Sequence, residues 1–160
     1  MKRLLVLMFS LAMVGCVSYQ PVPEGYTGPL SLVKDTSSTV SSTKEQFFEL
    51  SKVDGRNVET SSAVTYERNY GRGIAMSVVT TERQVPAQEC TLSIQGITHV
   101  AAPILALGGG MYSVSGEVKV TLEEGKTYLV RGELSKEYSA VWLEDADGNL
   151  ISDKIEKQSE

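Results

Sequence analysis

Between residues 114 and 134 the chain alternates apolar and polar side chains with a period of two. Val114, Gly116, Val118, Val120 and Leu122 fall on one side of an extended strand, and Glu117, Lys119 and Thr121 fall on the other. Beyond Glu124-Gly125-Lys126, which reads as a hairpin turn, Tyr128, Val130, Gly132 and Leu134 resume the apolar side against Arg131 and Glu133. A strand with one apolar face must lay that face on a second layer. The pattern therefore calls for a sheet packed on another sheet or closed on itself.

The rest of the chain carries the same signal in shorter pieces. Leu30–Lys34, Phe47–Val53, Ala63–Tyr70, Ala75–Val85, Thr91–Gln95 and Val141–Leu143 are rich in β-branched, aromatic and aliphatic residues. Asp54-Gly55 and Asp147-Gly148-Asn149 mark turns, and Pro86 and Gly96 mark interruptions or bends. Residues 36–43 (TSSTVSST) read as a loop, and only 43–48 could form a helical turn. About eight short strands at regular spacing, with no internal repeat, predict an all-β domain: an antiparallel β-sandwich over residues 30–157.

The chain has 160 residues, enough for about one domain, and a net charge of −5. An acidic balance argues against a nucleic-acid partner. Two cysteines and one histidine are too few for a zinc finger or ribbon, so no cofactor or metal is expected.

The N-terminus is a different kind of sequence. Lys2 and Arg3 precede twelve residues, Leu4 to Gly15, that are mostly apolar and end in small side chains. That segment is too short for a comfortable bilayer crossing and has the parts of a secretory signal peptide. Residues 17–29 (VSYQPVPEGYTGP) hold three of the five prolines and read as a flexible tether. The plain alternative is an ordinary signal peptide, with Cys16 incidental.

Met13-Val14-Gly15-Cys16 resembles a bacterial lipobox, with Met13 where Leu is usual. The resemblance implies cleavage between Gly15 and Cys16 and diacylglyceryl transfer to the Cys16 thiol. Residues 1–15 would then be a lipoprotein signal peptide and 16–29 a lipid-anchored tether. Val17, where Asp would favour inner-membrane retention, implies the outer membrane, facing the periplasm. Cys90 would be left as the only thiol. LSLV at 30–33, FELSKVDG at 48–55, LEEGKTYLVRGEL at 122–134 and the VWLED strand resemble Gram-negative envelope lipoproteins. Those carry an all-β domain of immunoglobulin-like or prealbumin-like type behind the anchor. No catalytic residues come with that likeness. It implies a non-enzymatic binding or assembly module; an envelope enzyme or enzyme inhibitor is the other class.

Few residues stand out as a site. In an extended segment Tyr66, Arg68, Tyr70 and Arg72 share one face, where aromatic rings and guanidinium groups suit an envelope protein, glycan or lipopolysaccharide. A ladder of Arg stacked on Tyr within a sheet is the ordinary alternative. Val100 to Gly110 is the most apolar stretch after the signal segment and reads as a core strand followed by a loop, or else as a loop that touches lipid or a partner. Asp145 to Asn149 superficially resembles a calcium loop, but Leu150 stands at the sixth position, where Gly is required, so a hairpin turn accounts for it. Cys90 and His99 are nine residues apart, which on a strand places them on opposite faces.

Overall fold

The computed structural model describes residues 19–158. It contains ten strands and one α-helix: β1 (Leu30–Lys34), β2 (Thr36–Ser41), β3 (Lys44–Val53), β4 (Arg56–Asn57), α1 (Ser61–Asn69), β5 (Glu82–Pro86), β6 (Glu89–Val100), β7 (Ser113–Thr121), β8 (Thr127–Leu134), β9 (Tyr138–Asp145) and β10 (Ile155–Gln158). One sheet has the order β10-β9-β8-β1-β5. The other has the order β2-β3-β6-β7, with β4 hairpinned onto β3. All pairings are antiparallel except β1 with β8. The two sheets pack as a β-sandwich, the architecture that the alternation calls for.

The core lies between the sheets. Val118, Val120 and Leu122 meet Tyr128, Val130 and Leu143 there, joined by Phe48, Leu50, Leu92 and Ile94. Two glycines let aromatic and aliphatic groups into this layer. A Cβ on Gly132 would run into the Phe48 ring and the Ala140 carbonyl oxygen. A Cβ on Gly96 would lie 3.2 Å from the same ring. Gly96 therefore sits in regular ladder, opposite Phe48 and Val114, and not at a bend.

Several local expectations change. Residues 36–41 form edge strand β2, not a loop, because pairing to β3 satisfies a Ser/Thr run that carries little apolar signal of its own. Residues 44–48 are strand, not helix. The Glu124-Gly125 turn does not close a hairpin: β7 belongs to one sheet and β8 to the other, so residues 122–126 carry the chain across the sandwich. The Tyr128 hydroxyl accepts from the Glu123 backbone N–H at 2.9 Å and braces this crossing. Of 75–85, only the last four residues belong to a strand, β5. The segment 103–108 is a 3-10 helix on the surface, not a core strand.

The largest change is α1, where the β-rich run Ala63–Tyr70 pointed to a strand. Thr60 caps it, accepting from the Ala63 N–H. Two buried carboxylates, one from β3 and one from the junction of β1 and β2, take the next free donors. Asp35 accepts from the Ser61 N–H at 3.2 Å, and Glu49 from the Ser62 N–H at 2.8 Å. Negative charge at a helix N-terminus is favourable, so these tertiary contacts outweigh the β-branched Val64 and Thr65.

Candidate functional site

α1 lies on the outer face of β3, and the space between them is polar. Glu45, Phe47 and Glu49 point outward from β3 yet are buried. Asp35, where the chain passes from β1 to β2, forms a bidentate pair with Arg83 at 2.7 Å for both bonds. It also accepts from the Leu50 N–H, the Ser61 hydroxyl and the Thr81 hydroxyl. Glu49 accepts from the Ser62 hydroxyl and from Gln95, each at 2.7 Å. Burial holds the Glu49 carboxyl above its ordinary value, with those hydrogen bonds opposing. Every bond of this hub runs inward, so it is a structural device that seats α1.

The far end of α1 is more open. Tyr66 and Tyr70, one helical turn apart, meet edge to face at 6.0 Å. The Tyr66 ring also meets His99 of β6 at 6.2 Å, and His99 meets Phe47 at 6.0 Å. Tyr66, Tyr70, Gly71, Met76, His99 and Pro103 line a mainly apolar cleft of about 220 Å³. Gly71 and Gly73, both with positive φ, turn the chain there. The Asn69 side chain pairs with the Ser77 backbone in both directions and fixes the far wall. Burial lowers the His99 pKa, favouring the neutral ring. Glu45, directly across the ladder from His99, is 2% exposed and its Oε2 has no hydrogen-bond partner.

The four residues expected to share a face are divided by the helix. Tyr66 and Tyr70 come together at the cleft. Arg68 stands about 200° around the axis from Tyr66, and Arg72 lies beyond the helix. The extended-face reading fails because side chains at i and i+2 diverge on a helix. The 100–110 segment, by contrast, reaches the same cleft through Pro103, with Ile104 67% and Leu107 82% exposed. Sequence reasoning missed that His99 belongs with the tyrosines; no spacing pattern links residues 66 and 99. It also missed the hub, although Thr60-Ser61-Ser62 before the apolar run is a capping signal.

Cys90 and His99 lie on opposite faces of β6, as the odd spacing requires. Cys90 is buried, and desolvation, reinforced by Asp54, pushes its thiol up to about 11. The Asp145 carboxylate accepts from the Asp147 and Asn149 backbone N–H groups and from the Asn149 side chain, which closes that turn. Among the described residues there is no group of three His, Cys, Asp or Glu that could hold a metal ion, and no helix long and apolar enough to cross a membrane. Gly15 and Cys16 lie outside the described residues. No significant match is found to a protein family, to a curated protein or to a solved structure.

Proposed function

We propose that this protein is a lipid-anchored module of the bacterial envelope, tethered through Cys16 to the outer membrane, facing the periplasm, and acting by binding. The reading of the anchor rests on the leader and on Met13-Val14-Gly15-Cys16. The reading of a binding role rests on one observation: the exposed rings of Tyr66 and Tyr70 line one cleft, and Ile104 and Leu107 stand exposed on the 3-10 helix that starts at Pro103 in its wall. A folded domain rarely leaves so many together without an interaction to cover them. The cleft's ring contacts are edge-to-face packing, the kind of surface that recognises an apolar or aromatic group. An envelope protein, a glycan and a lipid are the classes of ligand that fit this setting.

Metabolic labelling with an alkyne fatty acid tests the anchor. The wild-type chain takes the label and Cys16→Ala does not; equal labelling of both refutes acylation at Cys16. A photo-cross-linking residue placed at Leu107 in intact cells tests the binding end. It gives a defined adduct, whereas the same residue at Asp147, in the turn after β9, gives none. No adduct from Leu107 refutes that end as the binding surface.

A further inference from the structure

We propose that the α1 side of the domain docks on an anionic bilayer surface, with Ile104 and Leu107 entering lipid and Arg68 and Arg72 meeting headgroups. The proposal rests on the binding reading above and names the ligand of the same surface.

Three observations converge on it. The first is composition. No Asp, Glu, Lys or Arg occurs between Glu89 and Glu117, so the 3-10 helix Pro103–Gly108 and its flanks bear no charged side chain of their own; the charge seated at its end is the cation of Lys44, whose Nζ donates to the Gly109 carbonyl oxygen at 2.9 Å. Tyr66 and Tyr70, beside it, are the amphipathic rings favoured at the boundary between headgroups and acyl chains. The second is charge. Arg68, on the side of α1 turned away from Tyr66, and Arg72, just past the helix, are both exposed in a chain of net charge −5. Glu67, the residue before Arg68, is an exposed carboxylate that offsets part of their charge, so the apolar side chains supply most of the attraction and the arginines set the preference for anionic lipid.

The third is where the chain leads. The Gln20 N–H donates to the Asn57 carbonyl oxygen at 3.3 Å, and Arg56 donates to the Pro21 carbonyl oxygen at 3.2 Å. Tyr19 and Pro21 thus lie against Val58 and Glu59, the residues that lead into α1. Tyr19, itself half exposed, is three residues from Cys16, a reach of at most about 11 Å. The described chain therefore starts, at Tyr19, near the N-terminal end of α1, and Tyr70 lies just past its C-terminal end, about 13 Å further for nine residues. The start of the described chain and the tyrosine pair both border α1. A domain lying on its α1 side engages one leaflet at both points, and the anchor keeps the apolar end at high local concentration over the lipid.

The test uses the full chain with its single tryptophan moved: Trp142→Phe combined with Leu107→Trp. A second version combines Trp142→Phe with Asp147→Trp, at the turn after β9. The probes are vesicles of phosphatidylcholine with and without phosphatidylglycerol, carrying bromine on the acyl chains. The expected result is a blue shift and strong quenching of the Leu107→Trp reporter in anionic vesicles. The Asp147→Trp reporter keeps its aqueous emission. Adding Arg68→Gln and Arg72→Gln makes the quenching equal in vesicles with and without phosphatidylglycerol, while Ile104→Asp abolishes it with an unchanged far-UV circular dichroism spectrum. An unquenched Leu107→Trp reporter in anionic vesicles overturns the proposal, as does equal quenching of both reporters. Loss of the acyl anchor is read separately, from intact mass, and leaves the quenching contrast between the two positions interpretable.

Discussion

Replacing Asp35 by Ala removes the acceptor on which five other groups converge. Its side chain is fully buried, and Arg83, its bidentate partner, is only 8% exposed at the side chain. The variant leaves the Arg83 guanidinium with the Glu59 carbonyl oxygen and the Thr81 hydroxyl, neither of them charged. The Leu50 N–H and the Ser61 N–H and hydroxyl lose their acceptor as well. Stranding one member of a buried ion pair costs about 3–5 kcal/mol. With a urea slope of about 2 kcal/mol per molar for a domain of this size, the unfolding midpoint falls by about 2 M. Equilibrium urea unfolding followed by far-UV circular dichroism measures it. The paired substitution Asp35→Leu with Arg83→Met costs less than Asp35→Ala alone, because no buried charge is left without a partner. A loss below about 1 kcal/mol for Asp35→Ala, or a double variant at least as unstable as the single one, would refute the view that the ion pair seats α1.

Two further predictions concern packing and pH. Gly132→Ala places a methyl group against the Phe48 ring and the Ala140 backbone oxygen, which cannot move aside, and costs about 1–3 kcal/mol. Gly116→Ala meets only the Ile155 side chain, at 3.0 Å, and costs less in the same thermal melts; the reverse order contradicts the assignment. His99 has a folded pKa below its ordinary 6.5, so above that value its contribution to stability is complete, and it is lost as pH falls toward the folded pKa. His99→Gln therefore shows a smaller drop in urea midpoint than wild type between about pH 7.5 and pH 5. Equal drops refute the burial of the ring.

The strands that the sequence made legible are those with one wet face. In β7 and β8, alternation at 114–122 and 128–134 matches the buried positions because each strand meets water on one side and core on the other. β3 is harder to read. Phe48, Leu50 and Val53 face the core, while Glu45, Phe47 and Glu49 are buried under other elements on the outer face, so the period disappears over 47–50. Residues 63–70 misled because intrinsic preference favours a strand, whereas carboxylates of Asp35 and Glu49, distant in sequence, hold the helix start. The candidate site was visible in halves. The tyrosines at 66 and 70 and the apolar run at 101–107 each stood out, but the cleft exists only because α1 and the end of β6 converge.

What the chain determined locally is the β class, the Asp54-Gly55 turn, where both residues take positive φ, and the separation of Cys90 from His99 across one strand. Each follows from covalent geometry and side-chain period, which act between near neighbours. Tertiary structure alone decided which strands share a sheet, that residues 122–126 cross the sandwich, that α1 is a helix, and that Ile104 and Leu107 stay in solvent. Those outcomes depend on burial and on charges brought together from distant parts of the chain, and no local pattern of residues encodes a contact that only packing creates.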